Sequence, residues 1–307
     1  MRSAFVKTLE GLAEKDSSVH LLTADLGFMV FDKFKEKFPN QFTNCGCSEA
    51  NMVSMAAGMA AEGKKPYIYS IAPFITSRVH EQLRNDIAYH NMDVKVIGVG
   101  GGFSYSNQGM SHIATEDIGL MRLLNNFKIV CPATPLEVEG AMKALYESPG
   151  PAYLRLGKSG EKEFHAAPLD FQLGKSITLK EGKDLVILCT GNILNTAMQV
   201  YDKLAEKDIY ASVISMPSLV PIDRRAIVES ASRQRGNILC TLEEHGLTGG
   251  LGDIVADIIS QSTYHPKFKK FGVMNEYVKV SGSQDYLRKL NKIDSESITD
   301  YITRCLL

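Results

Sequence analysis

A chain of 307 residues can bury a sizeable core and is long enough for two domains. Its 34 Lys and Arg nearly balance 35 Asp and Glu, and a net charge of −1 removes any general electrostatic drive toward nucleic acid or an anionic membrane. No apolar run approaches the roughly 18–20 residues that cross a bilayer, so neither a membrane nor a nucleic-acid partner is expected.

The opening stretch, MRSAFVKTLEGLAEKD, alternates apolar and charged residues as an amphipathic helix does and a signal peptide does not, which predicts a cytoplasmic protein. Short runs rich in β-branched and aromatic residues then predict strands at 19–25, 65–71, 94–100, 127–133 and 152–157. Between them lie predicted helices at 3–15, 49–62, 77–91, 116–125 and 135–147. Such alternation is the pattern of a parallel sheet wrapped by helices on both faces. Residues 158–175, KSGEKEFHAAPLDFQLGK, interrupt it with charge, Pro and Gly and read as a linker. Strand-like runs resume at 184–191, 210–218, 236–244 and 268–274. The expected layout is α/β with two doubly wound domains, over 1–158 and 176–307, joined by 159–175.

The six cysteines fall at 45, 47, 131, 189, 240 and 305. A lone C-x-C without a second pair or a nearby His is poor zinc spacing, so reduced thiols and no metal site are expected. GVGGGF (98–103) follows a strand, yet Phe103 stands where a dinucleotide fingerprint needs Gly or Ala. EEHGLTGGLGDIV (243–255) lacks that spacing too and reads as a tight strand-to-helix turn.

Two polar features remain. Glu49 begins a helix of Ala, Met, Gly and Val that carries no further charge until Glu62. It is either a carboxylate placed against the helix dipole or a catalytic acid aimed into a closed pocket. His112, in NQGMSHIATEDIG (107–119), sits just ahead of a helix whose first turn holds Glu116 and Asp117. It reads as an exposed loop residue or, with the loop before Glu49 and IAPFITSR (71–78), as part of the crevice at the C-terminal ends of parallel strands.

Taken together and in order, GCSEANMVSMAAGMAAEG, PFITSRVHEQLRNDIAY, QGMSHIATEDIGLMR, PAYLRLGKS, ISMPSLVPID and EEHGLTGGLG are similar to segments of the C-terminal half of transketolases. The chain resembles the form in which that half is a separate subunit. The resemblance implies a parallel-sheet pyrimidine-binding domain, a smaller mixed-sheet C-terminal domain, and thiamine diphosphate as cofactor. By position Glu49 matches the family's glutamate, which hydrogen-bonds the aminopyrimidine ring and activates the cofactor. Phe74, Ile75 and Arg78 match the cofactor side, and Asp25, Gln108, His112 and Arg155 the substrate side, with His112 also a candidate catalytic group.

The departures from the family pattern concern substrate and metal. The usual ring-stacking aromatic is replaced by Ile75, with Phe74 beside it, and either could cover the pyrimidine. Gln108 stands for a sugar-reading Asp, Gly100 for a phosphate-side His, and Met29 for a Ser of the same task, which together imply an unusual substrate. No Gly-Asp-Gly occurs, so the resemblance implies that Mg²⁺ and the diphosphate are held by an N-terminal partner subunit carrying that motif, in an α2β2 assembly. The expected reaction is transfer of a two-carbon ketol unit. The alternatives are a β-type subunit of a 2-oxoacid-decarboxylating enzyme, of dehydrogenase or deoxyxylulose-phosphate-synthase type, and an inactive partner subunit.

Overall fold

The computed structural model describes residues 1–232 and 237–306, and in it the alternating runs form two sheets. The first contains β1 (Val19–Thr23), β2 (Phe42–Asn44), β3 (Lys65–Ile71), β4 (Lys95–Val99), β5 (Lys128–Val130) and β6 (Ala152–Leu156). The second contains β7 (Ile177–Lys180), β8 (Leu185–Thr190), β9 (Ala211–Ser215), β11 (Ile238–Gly246) and β12 (Lys267–Val273), while β10 (Ser218–Val220) crosses to the first. The spatial orders are β10-β5-β6-β4-β3-β1-β2 and β12-β11-β8-β9-β7.

Within the first sheet every pair from β1 to β6 is parallel. β4 and β6 are buried at every residue, as strands covered on both faces must be. On one face, helix Arg2–Ala13 buries Phe5, Leu9 and Ala13 at fourfold spacing. On the other, helix Glu49–Ala61 buries Met52, Val53, Ala56 and Ala57. The second sheet is mixed, because β7 runs antiparallel to β9.

The sequence reading does not foresee β2 and β7 as strands, and two of the foreseen elements are built differently. The run 210–218 is not one strand: Pro217 has no N–H for a ladder, and the chain turns there so that β10 pairs antiparallel with β5. The Pro217 carbonyl accepts from Cys131 N and the Met216 amide donates to Cys189 O, which fixes the turn between the sheets. The helix foreseen at 77–91 begins instead at Ala72, with Pro73 in its first turn, and resumes as His80–Gln82 followed by the wider turns of Leu83–Ala88. The strand expected from 236 is seen as β11; Gly236 itself lies outside the described residues, as does Leu307 of the expected second domain.

One apolar cluster runs unbroken from Leu22, Val53 and Ile68 to Met216, Leu251 and Ile258, so the two sheets share core. The 158–175 stretch has no helix or strand but is fastened by side chains: His165 Nε2 lies 2.8 Å from buried Glu137, whose other oxygen accepts from Ala133 N at 2.6 Å. The six cysteines form no disulfide. Among the described residues no helix is long and apolar enough to cross a membrane.

Candidate active site

Because β1, β2, β3 and β4 run parallel, the loops that follow them gather along one edge of the sheet. Glu49 enters that edge from the loop after β2. It is the first residue of its helix, where a carboxylate suits the dipole, yet it is only 5% exposed and its side chain reaches inward. Ser70, buried near the end of β3, offers its hydroxyl to Glu49 Oε1 at 3.4 Å. Arg78, from the segment after β3, donates from Nη1 to Oε2 at 3.2 Å. Glu49 thus sits at a helix start, as the dipole reading expects, and its carboxylate is met by the Ser70 hydroxyl and the Arg78 guanidinium.

The cluster continues outward through rings. The Arg78 guanidinium lies 4.1 Å from the centre of the Phe74 ring, and the Phe74 ring meets His112 edge-on at 5.1 Å and 68°. Burial and the Arg78 charge push the His112 imidazole below the ordinary histidine value, which favours its neutral form. Ser111 Oγ lies 3.0 Å from its Nδ1. Ile75, in contrast, is fully buried in the core with Val79 and Leu83. Phe74 thus presents its ring at the edge while Ile75 packs beneath it.

A cleft of about 500 Å³ opens beside these groups, lined by Phe74, Arg78, Met110, Ser111, Glu116 and Tyr277 among others. Tyr277 comes from the stretch after β12, in the second half of the chain. That stretch is tied to the His112 loop by the Ser106 hydroxyl, which donates to Gly282 O at 2.8 Å.

Asp25 and Gln108 are both exposed at the same edge. Asp25 has a positive φ of 53° and is braced by Asn44, whose Nδ2 donates to Oδ1 at 3.1 Å while its own Oδ1 accepts from Asp25 N at 2.9 Å. Gln108 ends a short 3-10 turn, followed by Gly109 at φ 83°.

Arg155 lies elsewhere. It is 3% exposed within β6, and its Nε and Nη2 are engaged by protein acceptors. Nε donates to Asp117 Oδ2 at 2.7 Å, and Nη2 to Asp117 Oδ1 at 3.1 Å, Ala114 O at 2.8 Å and Glu244 O at 3.0 Å. Burial alone would raise the Asp117 carboxyl, but Arg155 overrides it and holds the group below the ordinary carboxylate range. The Tyr153 hydroxyl adds a 2.6 Å bond to the same carboxylate. One glycine of GVGGG makes room for this pair: a Cβ on Gly101 would come within 2.8 Å of the Arg155 guanidinium, whereas Gly100 faces Tyr105 and Gly102 faces Glu244. The motif that looks superficially like a nucleotide loop is thus shaped around side chains of its own fold.

The chemistry of this edge suits one end of a cofactor. A buried carboxylate next to a serine hydroxyl can hold a heterocyclic nitrogen, and Phe74 supplies a flat apolar face for the ring. Residues 1–160 match the family model described as the transketolase pyrimidine binding domain, and residues 174–298 match that of the transketolase C-terminal domain.

The chain belongs to the transketolase family.

Transketolases are thiamine diphosphate-dependent transferases, and the pyrimidine-binding half of that apparatus is the part present here. The chain is 34% identical to an apulose-4-phosphate transketolase subunit of Phocaeicola vulgatus, over 97% of this chain and 94% of that protein. It is 30% identical to the 6-deoxy-6-sulfo-D-fructose transketolase subunit SqwH of a Clostridium species, over 94% of this chain and 89% of that one. Among solved structures, one described as a split gene transketolase, inactive beta4 tetramer, superposes with a TM-score of 0.89 at 33% identity, covering 99% of this chain and 97% of that one. These are transketolase-family subunits matched over most of their own length, which favours ketol transfer over 2-oxoacid decarboxylation.

Proposed function

We propose that this chain is the pyrimidine-holding subunit of a split transketolase that moves a two-carbon ketol unit between sugars outside the common sugar-phosphate set. The observation that carries the proposal is the Ser70–Glu49–Arg78–Phe74–His112 chain of contacts at one sheet edge. When bound, thiamine diphosphate supplies an acidic ring carbon that can accept and release the two-carbon fragment. Glu49 would hold the pyrimidine nitrogen through its carboxyl group, with Ser70 orienting that carboxyl. Phe74 offers the ring its apolar face, and Ile75 sets the floor beneath. His112, neutral and half-buried, would exchange a proton with a sugar oxygen. Asp25 and Gln108, at the rim, would read sugar hydroxyls. Arg155 would act from beneath, by fixing Asp117 and the helix that begins there.

The reading of an unusual substrate rests on what stands at the family's phosphate-side positions. Met29 is 91% exposed, with Phe28 also exposed beside it, so an apolar rim replaces a hydroxyl. Gly100 has φ 85°, and a Cβ there would fall 2.1 Å from the Tyr105 ring, so the local fold has no place for a histidine. Each missing charge-assisted bond is worth about 1.5–3 kcal/mol, enough to turn the site away from ordinary sugar phosphates. Relatives named for apulose 4-phosphate and for a sulfonated deoxyfructose are consistent with that turn.

The remainder of the site would come from a second polypeptide. With no Gly-Asp-Gly in this sequence, the diphosphate and Mg²⁺ are assigned to an N-terminal partner carrying that motif, in an α2β2 enzyme with the cofactor at the interface. We divide the chain accordingly into a pyrimidine-binding domain at 1–158, a linker at 159–175 and a C-terminal domain from 176. The test is reconstitution with the partner chain, followed by turnover measurements on xylulose 5-phosphate, apulose 4-phosphate and 6-deoxy-6-sulfofructose. Preference for a donor other than xylulose 5-phosphate supports the reading. Efficient use of xylulose 5-phosphate alone refutes the substrate part, and activity of this chain by itself refutes the partner part.

A further inference from the structure

Arg78 is joined to the candidate site by two contacts, a hydrogen bond to Glu49 and a cation–π contact with Phe74. Its Nη1 donates to Glu49 Oε2 at 3.2 Å, and its guanidinium carbon lies 4.1 Å from the Phe74 ring centre, over the ring. A guanidinium and an aminopyrimidine have the same recognition chemistry: a flat delocalised system with N–H donors at its rim and a face that stacks on aromatic rings. The carboxylate that would hold the pyrimidine and the ring that would stack on it are therefore both engaged by one side chain of the same polypeptide.

The rest of the geometry agrees with a removable occupant. Glu49 is 5% exposed, and a buried carboxylate left without a partner is unfavourable, so the empty site gains from an internal cation. The Arg78 side chain is 54% exposed, so it can swing outward without breaking packed core. Its neighbours Ile75 and Val79 are fully buried and hold the backbone while the side chain moves.

We propose that in the free chain Arg78 is a stand-in for the cofactor's pyrimidine, keeping Glu49 in place and covering Phe74 until the ring displaces it. The proposal rests on the reading of Glu49 and Phe74 given above. It makes the free subunit self-occluded, so that binding of the ring must first displace an internal competitor. An ion pair exposed on its Arg78 side and a cation–π contact made by the same exposed side chain are each worth a factor of a few, and a site closed by both should show an apparent affinity on the order of tenfold below its intrinsic value.

The test uses the full-length chain without a partner and the ring fragment 4-amino-5-hydroxymethyl-2-methylpyrimidine, titrated by ligand-observed NMR. Arg78→Ala should bind the fragment about tenfold more tightly than the wild-type chain. Arg78→Lys, which keeps the charge but loses the flat donor array, should also gain and serves as the deciding variant if the alanine protein does not fold. Equal or weaker binding by the variants, including no detectable binding by any of the proteins at millimolar fragment, overturns the proposal. In the Arg78→Ala/Glu49→Gln double variant the gain should vanish. A gain that survives there would mean the ring binds away from Glu49, which sinks the reading of the site as well.

Discussion

Replacing Arg155 with Met tests whether this residue is a substrate ligand, as the family resemblance implies, or part of the internal frame. Its four hydrogen bonds go to Asp117 twice, to Ala114 O and to Glu244 O. Ala114 precedes the helix Asp117–Arg122, and Glu244 belongs to β11 of the other sheet, so one guanidinium ties both halves together. Methionine would leave the side chain of Asp117, itself 2% exposed, with the Tyr153 hydroxyl as its remaining donor among the described residues. Breaking a buried pair from one side costs about 3–5 kcal/mol. At roughly 2–4 °C per kcal/mol for domains of this size, the melting temperature should fall on the order of 10 °C in calorimetry. Adding Asp117→Asn removes the stranded charge, so the double variant should lose less than the sum of the single variants. An Arg155→Met protein that melts like the wild type and is impaired only in KM for a phosphorylated sugar would refute this reasoning and restore the substrate role.

Three further outcomes follow from the same structure. His165 is pulled down by burial but raised overall by its bond to Glu137; its contribution is therefore full below the ordinary histidine value of about 6.5 and lost as pH rises through the elevated one. The melting temperature should fall across that window, and His165→Ala should flatten the fall. Gly102 has φ 65° and an added Cβ would sit 2.4 Å from Glu244 Oε2, so Gly102→Ala should destabilise by more than the ~1–3 kcal/mol of backbone strain alone, measured by urea unfolding. His112 is held below the ordinary histidine value, so the acid limb of its activity profile should lie below pH 6.5, and His112→Ala should lower kcat about 10²–10⁴-fold with that limb removed.

Much of the architecture can be read from local pattern. Runs such as VKVIGVG and DLVILCTG have few conformations open to them besides a buried strand, and β4 and β8 lie there. Glu49 is visible because it is the lone charge at the head of an apolar helix. What escapes depends on partners distant in sequence. ISMPSLVPID carries no mark of which sheet its second half joins, and β10 is placed by its pairing with β5, far upstream. Arg155 in AYLRLG looks like a charge reaching for a ligand, and its internal ion pair with Asp117, 38 positions earlier, is not visible locally. Tyr277 sits in a polar stretch without periodicity, and it is the Ser106–Gly282 bond that draws that stretch toward the cleft. No local rule could distinguish Phe74 from Ile75 either; burial of Ile75 against Val79 and Leu83 separates them.

The most direct measurement is the rate at which the reactive ring proton of thiamine diphosphate exchanges with deuterium in the reconstituted two-subunit enzyme, compared between wild type and Glu49→Gln. With Glu49 as the group that governs the pyrimidine, the variant should exchange at least about 10²-fold more slowly while still assembling with its partner. Exchange at an unchanged rate in the fully assembled variant would contradict the account.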